Sequence, residues 1–310
     1  VGLGCWQLGG GWGAEWDDSV AQEILEAAYA SGVRFFDTAD VYGGGLSEQS
    51  LAPFLARHND VQVATKLGRK GLYPAGYSRE SLRKATHASR QQLGLEQIPL
   101  TQLHCVPTDV LREGTIFDWM REQKSDGLIR RFGASVESVE EGLICLEQES
   151  LSSLQVIFNI FRQKPAEELL PLAQAKGVAI IVRLPLASGL LTGKLRKDTE
   201  FSSADHRNFN KDGAAFNVGE TFAGLPYETG VELSEQLTSH LPEEMNLVQM
   251  SLRWILDHPA VTVVIPGASS PSQARANASV SSLAALSPTL HRDLSAFYRQ
   301  KVKAHIRGPY

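Results

Sequence analysis

The sequence predicts a single (β/α)8 barrel domain of the α/β class over residues 1–310, with a long loop after the seventh strand and extra C-terminal helices. Three observations carry this. Short apolar runs rich in β-branched and aromatic residues alternate with longer helix-patterned segments, as in a parallel sheet. The runs begin at 33, 61, 100, 129, 154 and 178, and each interval suits one strand–helix unit. An opening run at 1 and a last one at 261 bring the total to eight, the number that closes such a sheet into a barrel.

Taken in order, Val1–Cys5 is the first strand. Asp17, Asp18 and Ser19 are capping candidates for a helix with Val20, Ile24, Ala27 and Ala28 on one face and Gly32 as its stop. Val33–Asp37 and Val61–Lys66 are the second and third strands. Ser78 caps a helix that runs past Leu82, Ala85 and Leu93 to Gly94. Leu100–His104, Ile129–Ser135 and Leu154–Asn159 follow as strands four to six. The Glu167–Lys176 helix precedes Gly177, Val178–Arg183 is the seventh strand and Val261–Pro266 the eighth. Between these last two, Lys194–Pro226 is rich in Gly, Asn, Asp and Ser. It is too long for a plain connection and reads as a cover loop. Met245, Met250 and Trp254 follow at helical spacing and belong to the core. Lys301–Arg307 reads as a solvated basic helix end.

Composition narrows the function classes. The 310 residues carry 30 Lys and Arg against 35 Asp and Glu, a net charge of −5, and 43% are hydrophobic. That balance argues against disorder and against a basic nucleic-acid binder. The cysteines (Cys5, Cys105, Cys145) are scattered, with neither disulfide nor metal-site spacing, so the expectation is no metal and a reducing, cytoplasmic compartment. Arg183 and Pro185 interrupt the most apolar stretch, which is too short to span a bilayer. No signal-peptide pattern opens the sequence, although it starts at Val1 without Met, which leaves upstream residues open. Oligomeric state is not set by these features.

In a parallel barrel, active sites sit at the C-terminal ends of the strands. Asp37 ends the second strand, with Tyr42 five residues on in a glycine-rich turn; Lys66 ends the third and His104 the fourth. Each alone has an ordinary reading as a turn, solvated or core residue. Together, on three adjacent strands, they form a coherent set. A Tyr hydroxyl donates a proton readily, and a nearby ammonium stabilises the phenolate left behind. A carboxylate keeps that ammonium charged, and a His at the same mouth can hydrogen-bond a carbonyl oxygen. By strand alternation Cys105 points away from this mouth and is structural.

The residues also carry a resemblance. FFDTADVYGGG followed by Ser47 and Glu48, TK at Lys66, LH at His104, GAS ending at Ser135 and LQ..FN at Gln155 and Asn159 lie in order. RLPLASGLLTGK (Arg183 to Lys194) and IPGASSPSQARAN (Ile265 to Asn277) complete the set. As a whole the chain resembles the aldo-keto reductase superfamily. The resemblance implies NAD(P)H-dependent reduction of a small-molecule carbonyl, with Tyr42 as general acid, Lys66 and Asp37 tuning it and His104 orienting the carbonyl. It further implies that Ser135 and Gln155 hold the nicotinamide carboxamide. Pro185, Leu186, Ser188, Gly189, Leu190 and Lys194 would wrap the pyrophosphate, and Gly267, Ser269, Gln273 and Asn277 the adenosine end.

There are departures. Val136 stands where the family often has Asn, and Arg183 where many members stack an aromatic ring on the nicotinamide. Gly267 and Gln273 replace the Lys and Arg that often hold the 2′-phosphate, with Ser269, Ser270 or Arg275 as substitutes, and Ala276 replaces a Glu. NADP(H) is the expected cofactor, with NAD(H) as the alternative. The opening GLGCWQLGGGWG lacks dinucleotide-fingerprint spacing; Trp6, Gln7 and Trp12 are instead candidates for the substrate pocket, and His206, Arg207 and Asn208 for closing over the cofactor. Two other functions remain in play: a nucleotide-binding regulatory subunit of the same fold, and a Schiff-base aldolase using Lys66.

Overall fold

In the structure, a computed structural model that describes residues 1–10 and 16–310, eight parallel strands run in chain order around a barrel. They are β1 (Leu3–Gly4), β2 (Phe35–Asp37), β3 (Gln62–Leu67), β4 (Leu100–His104), β5 (Phe132–Ser135), β6 (Leu151–Ile157), β7 (Ala179–Arg183) and β8 (Val261–Val264). The ring closes where Gly2 N–H donates to Val264 O at 2.8 Å and Gly4 N–H to Pro266 O at 3.0 Å. Several boundaries shift by one or two residues from the sequence reading, and three at β5 and β6 have a visible cause. Ile129 forms only an isolated bridge with Ile98, so β5 starts later. β6 starts earlier, because Leu151 pairs with Phe132 despite the serines between it and Leu154. It also stops short of Asn159, whose side chain caps a turn by accepting from Phe161 N–H.

Helices cover the outside. α1 (Asp18–Ala30) starts where Asp17 accepts from the N–H groups of Ser19 and Val20. Its buried face is Ala21, Ile24, Leu25, Ala27 and Ala28, while Val20, placed on that face by the sequence reading, lies at its edge and is exposed. α2 (Leu46–Arg57) follows the Tyr42 turn. α3 (Arg79–Leu93) has Ser78 in a capping box and Gly94 in the left-handed conformation, as its sequence indicates. α4 (Thr108–Glu113), α5 (Thr115–Ser125), α6 (Val139–Leu146) and α7 (Leu169–Ala175) complete the first six connections. Fully burying apolar side chains such as Leu82, Phe117 and Leu169 contributes about 1.5–3 kcal/mol each.

The connection after β7 is the long one. It holds a turn at Ala187–Thr192, the short α8 (His206–Phe209), and then α9 (Tyr227–Leu237) and α10 (Leu247–Leu256). Met250 and Trp254 are buried on α10; Met245 precedes the helix and packs against the core. α11 (Pro271–Ser279) and α12 (Pro288–Phe297) are the C-terminal helices. The expected solvated basic end holds for Lys301, Lys303 and His305, which are exposed, but not for the last residue of the run. Arg307 is not a solvated helix end: its guanidinium donates to Gly224 O, Leu225 O, Lys211 O and Asp212 Oδ1, and so ties the tail to the cover loop. Among the described residues no helix is long and apolar enough to cross a membrane.

Candidate active site

The Asp37, Tyr42, Lys66 and His104 side chains converge at the C-terminal mouth. β2 and β3 pair in register, so the ends of both strands deliver their polar residues to one place. Lys66 Nζ donates to Asp37 Oδ1 at 2.5 Å, to Thr38 O at 2.8 Å and to the Tyr42 hydroxyl at 3.1 Å. Gln155 donates to the other Asp37 oxygen at 2.7 Å. The Tyr42 ring lies 5.9 Å from His104, edge-on, and 5.7 Å from Trp6 in a stacked arrangement. Gly43 makes this placement feasible: its φ is +58°, and a Cβ there would drive into the Gly9 carbonyl oxygen. The Tyr42 turn can therefore press directly onto the Trp6–Gly9 turn.

Electrostatics follow from burial. Burial opposes the charge on Lys66, but Asp37 and Tyr42 more than offset it and hold the ammonium above its ordinary value. Burial lifts the Asp37 carboxyl against the pull of Lys66 and Gln155. Tyr42 departs from the sequence expectation. Lys66 does pull its pKa down, but burial dominates and the net shift is upward, so the phenol keeps its proton at neutral pH. Burial, then Lys66, Arg69 and Arg183, hold His104 well below the usual histidine range, so its ring is neutral. Its buried Nδ1 has no hydrogen-bond partner among the described residues. A neutral phenol beside an ammonium and a neutral imidazole is a proton-donating, not a nucleophilic, set. Lys66 itself is charged and 0% exposed, which contradicts its use as a Schiff-base nucleophile.

A cavity of about 580 Å³ opens from this point. Asp37, Tyr42, His104, Gln155 and Arg183 line its inner end; Pro185, Leu186, Ser188, Gly189 and Lys194 line one wall, and Gly267, Ser269, Gln273 and Asn277 another. Trp6 and Gln7 also face it, whereas Trp12 lies outside the described residues. Three expected residues stand back from the wall. Lys66 is behind Asp37 and Tyr42, Ser135 is buried with its hydroxyl 3.8 Å from Cys105 Sγ, and Leu190 packs against Gly230 of α9. From the cover loop, Arg207 lines the cavity and the buried His206 ring lies 4.8 Å from Trp6, while Asn208 is exposed.

The cofactor-side backbone is unusual. Leu184, Ala187, Ser188 and Gly189 all have positive φ, a run that turns backbone N–H groups in ways few side chains permit. α11 starts opposite, with Ser270 as its N-cap, and Gln273 accepts from both Ser269 N–H and its hydroxyl. Arg275 is exposed and off the cavity wall.

Sequence reasoning missed the charged partners that surround Arg183. Arg69 bridges Glu137 at 2.7 Å and Glu220 at 3.1 Å, and Arg183 reaches Glu220 at 3.3 Å. Arg69, Glu137 and Glu220 sit on loops and turns, where no periodicity marks them. Cys105 belongs here too: it lies past the end of β4 at φ +49°, where strand alternation no longer applies, and its Sγ is 3.6 Å from both Arg183 and Glu220. Gln102, which faces Asp37 at 3.4 Å, was legible by alternation, two residues before His104.

A model of the aldo/keto reductase family matches residues 1–299. The chain belongs to the aldo/keto reductase family. An oxidoreductase of Mycobacterium tuberculosis is 31% identical over 286 residues, which cover 89% of this chain and 82% of that protein. An NADH-specific methylglyoxal reductase of Escherichia coli is 28% identical over 89% of this chain and 88% of its own length. A probable voltage-gated potassium channel subunit beta of Arabidopsis thaliana is 26% identical over 89% and 85% respectively. Among solved structures, the glycerol dehydrogenase of Gluconobacter oxydans superposes with a TM-score of 0.78 at 26% identity, covering 100% of this chain and 94% of that one. A holo aldo-keto reductase from Bacillus halodurans gives 0.76 at 26% identity, covering 99% and 93%. Aldo/keto reductase membership and these relatives support an oxidoreductase.

Proposed function

We propose that this one-domain barrel is a nicotinamide-nucleotide-dependent reductase of aldehydes or ketones, with Tyr42 as its proton donor. The observation that carries the reading is the Lys66 ammonium, bonded to both Asp37 and the Tyr42 hydroxyl at the end of a cavity of cofactor and substrate size. The residues present fit such a nucleotide. Arg183 Nε and His104 Nδ1 are buried polar atoms without partners among the described residues. The left-handed residues Leu184, Ala187, Ser188 and Gly189 and the N-terminus of α11 suit phosphate oxygens.

A reduced nicotinamide nucleotide bound there supplies the hydride. Tyr42 gives its proton to the carbonyl oxygen, Lys66 stabilises the phenolate left behind, and Asp37 keeps Lys66 charged and aimed. Neutral His104 hydrogen-bonds the same oxygen and fixes its orientation. Gln155, on the cavity wall, holds the carboxamide, with Ser135 buried behind that wall. Pro185, Leu186, Ser188, Gly189 and Lys194 serve the pyrophosphate, with Leu190 packed behind them against α9, and Gly267, Ser269, Gln273 and Asn277 serve the adenosine end. NADP(H) is the first choice of cofactor, while neutral Gly267 and Gln273 at the adenosine end, together with the NADH-specific relative, leave room for NAD(H). Three buried free thiols support a reducing compartment, the cytoplasm.

Titration with NADPH and NADH, followed by turnover on a panel of carbonyl compounds, tests the reading. Binding without turnover on any carbonyl favours the second reading, a regulatory nucleotide-binding subunit, which rests on the resemblance to the plant channel subunit.

A further inference from the structure

The inner end of the cavity holds more charge than proton transfer needs. Arg183 ends β7 with its side chain 12% exposed; Nη2 donates to Val136 O at 3.2 Å and the buried Nε has no partner among the described residues. Its counter-ion comes from the cover loop, where Glu220 sits in the Val218–Glu220 turn, buried, with its carboxylate 3.3 Å from Arg183 and 3.1 Å from Arg69. The turn is tied to the cofactor wall by the Ser188 hydroxyl, which donates to Glu220 O at 3.3 Å. Burial disfavours ionising Glu220, yet Arg183 and Arg69 outweigh it and hold the carboxylate well below its ordinary range. Glu137, in contrast, is pushed up to about 7 by burial and by the neighbouring Glu220 charge.

Chemistry places the reacting ring at this end. Hydride and proton go to the two atoms of one carbonyl bond, so the donor must lie beside Tyr42 and His104, where Arg183 and Glu220 both line the cavity. A reduced nicotinamide is neutral and an oxidised one carries a positive charge. An uncompensated guanidinium in a low-dielectric pocket therefore opposes only the oxidised form.

We propose that Glu220 is a positioning residue that neutralises Arg183, so that the Arg183–Glu220 pair sets the relative affinity of the site for oxidised and reduced nicotinamide nucleotide. This rests on the cofactor reading above. The cover loop then reads the oxidation state: with Glu220 in place the oxidised form is tolerated, and with Glu220 withdrawn it is expelled. No electron or proton moves in this step.

The test is equilibrium binding of NADP+, NADPH, NAD+ and NADH to the full chain at pH 8, where Glu137 is ionised with or without its neighbour. Glu220→Gln should weaken the oxidised form about tenfold relative to the reduced form, which corresponds to about 30 mV in the bound two-electron couple. Arg183→Gln should move the ratio the opposite way, and the double variant should return it towards that of the unmodified protein. Retained affinity for the reduced form shows that each variant is folded. A parallel change in both forms, no change, or a double variant that keeps the Glu220→Gln ratio overturns the inference. If the unmodified protein binds no nicotinamide nucleotide, the cofactor reading itself is overturned and the inference with it.

Discussion

Lys66 Nζ sits 2.5 Å from Asp37 Oδ1 with the lysine wholly enclosed and the aspartate nearly so, which makes this ion pair the electrostatic centre of the barrel mouth. Its partners are few and fixed, so removing one leaves the other charged and without water. Lys66→Met should cost about 3–5 kcal/mol in denaturant unfolding, whereas Lys66→Met combined with Asp37→Asn should cost clearly less. A double variant no more stable than Lys66→Met would mean that the pair is not coupled.

Gly43 carries Tyr42 into place. Gly43→Ala forces a side chain into a left-handed position and into the Gly9 carbonyl, at about 1–3 kcal/mol. It should also lower kcat by tenfold or more through a displaced hydroxyl, with nucleotide affinity largely kept. Unchanged kcat in a variant destabilised by that amount would separate the turn from the chemistry.

His206 gives the fold a defined acid sensitivity. Burial, only partly countered by Asp205, lowers its pKa from 6.5 to about 4. The unfolded chain thus binds a proton that the folded chain refuses. The contribution is fully present above about 6.5 and is lost as pH falls towards 4, amounting to about 3 kcal/mol. His206→Phe should flatten the stability profile over that window; an equally steep profile would place the sensitivity elsewhere. His104, shifted the same way, should show a neutral ring by NMR at pH 6.

Arg307 latches the cover loop through four acceptors between Lys211 and Leu225. Arg307→Ala should speed proteolytic cleavage within 194–226 while shifting Tm little. Equal cleavage rates would show that the loop is held by its own packing.

The barrel was legible because its strands are buried on both faces and so stand out as apolar runs ending in polar residues such as Asp37 and His104, while cap residues such as Ser78 and Gly94 mark the helix between two of them. The Asp37, Tyr42, Lys66 and His104 set was legible for the same reason: a polar residue at the end of such a run is conspicuous. Arg69, Glu137 and Glu220 were not, because loop residues meet only through tertiary folding, at separations of 68 and 151 positions. Tyr42 illustrates a further limit. Its neighbours were readable, but its upward pKa shift depends on how deeply the hydroxyl is buried.

The measurement that bears most directly on the central claim is single-turnover carbonyl reduction by Tyr42→Phe beside the unmodified protein, with nucleotide affinity determined on both. The account predicts that the variant binds NADPH or NADH as the unmodified protein does but loses reduction by several orders of magnitude. A variant that binds equally and keeps most of its turnover would contradict Tyr42 as the proton donor.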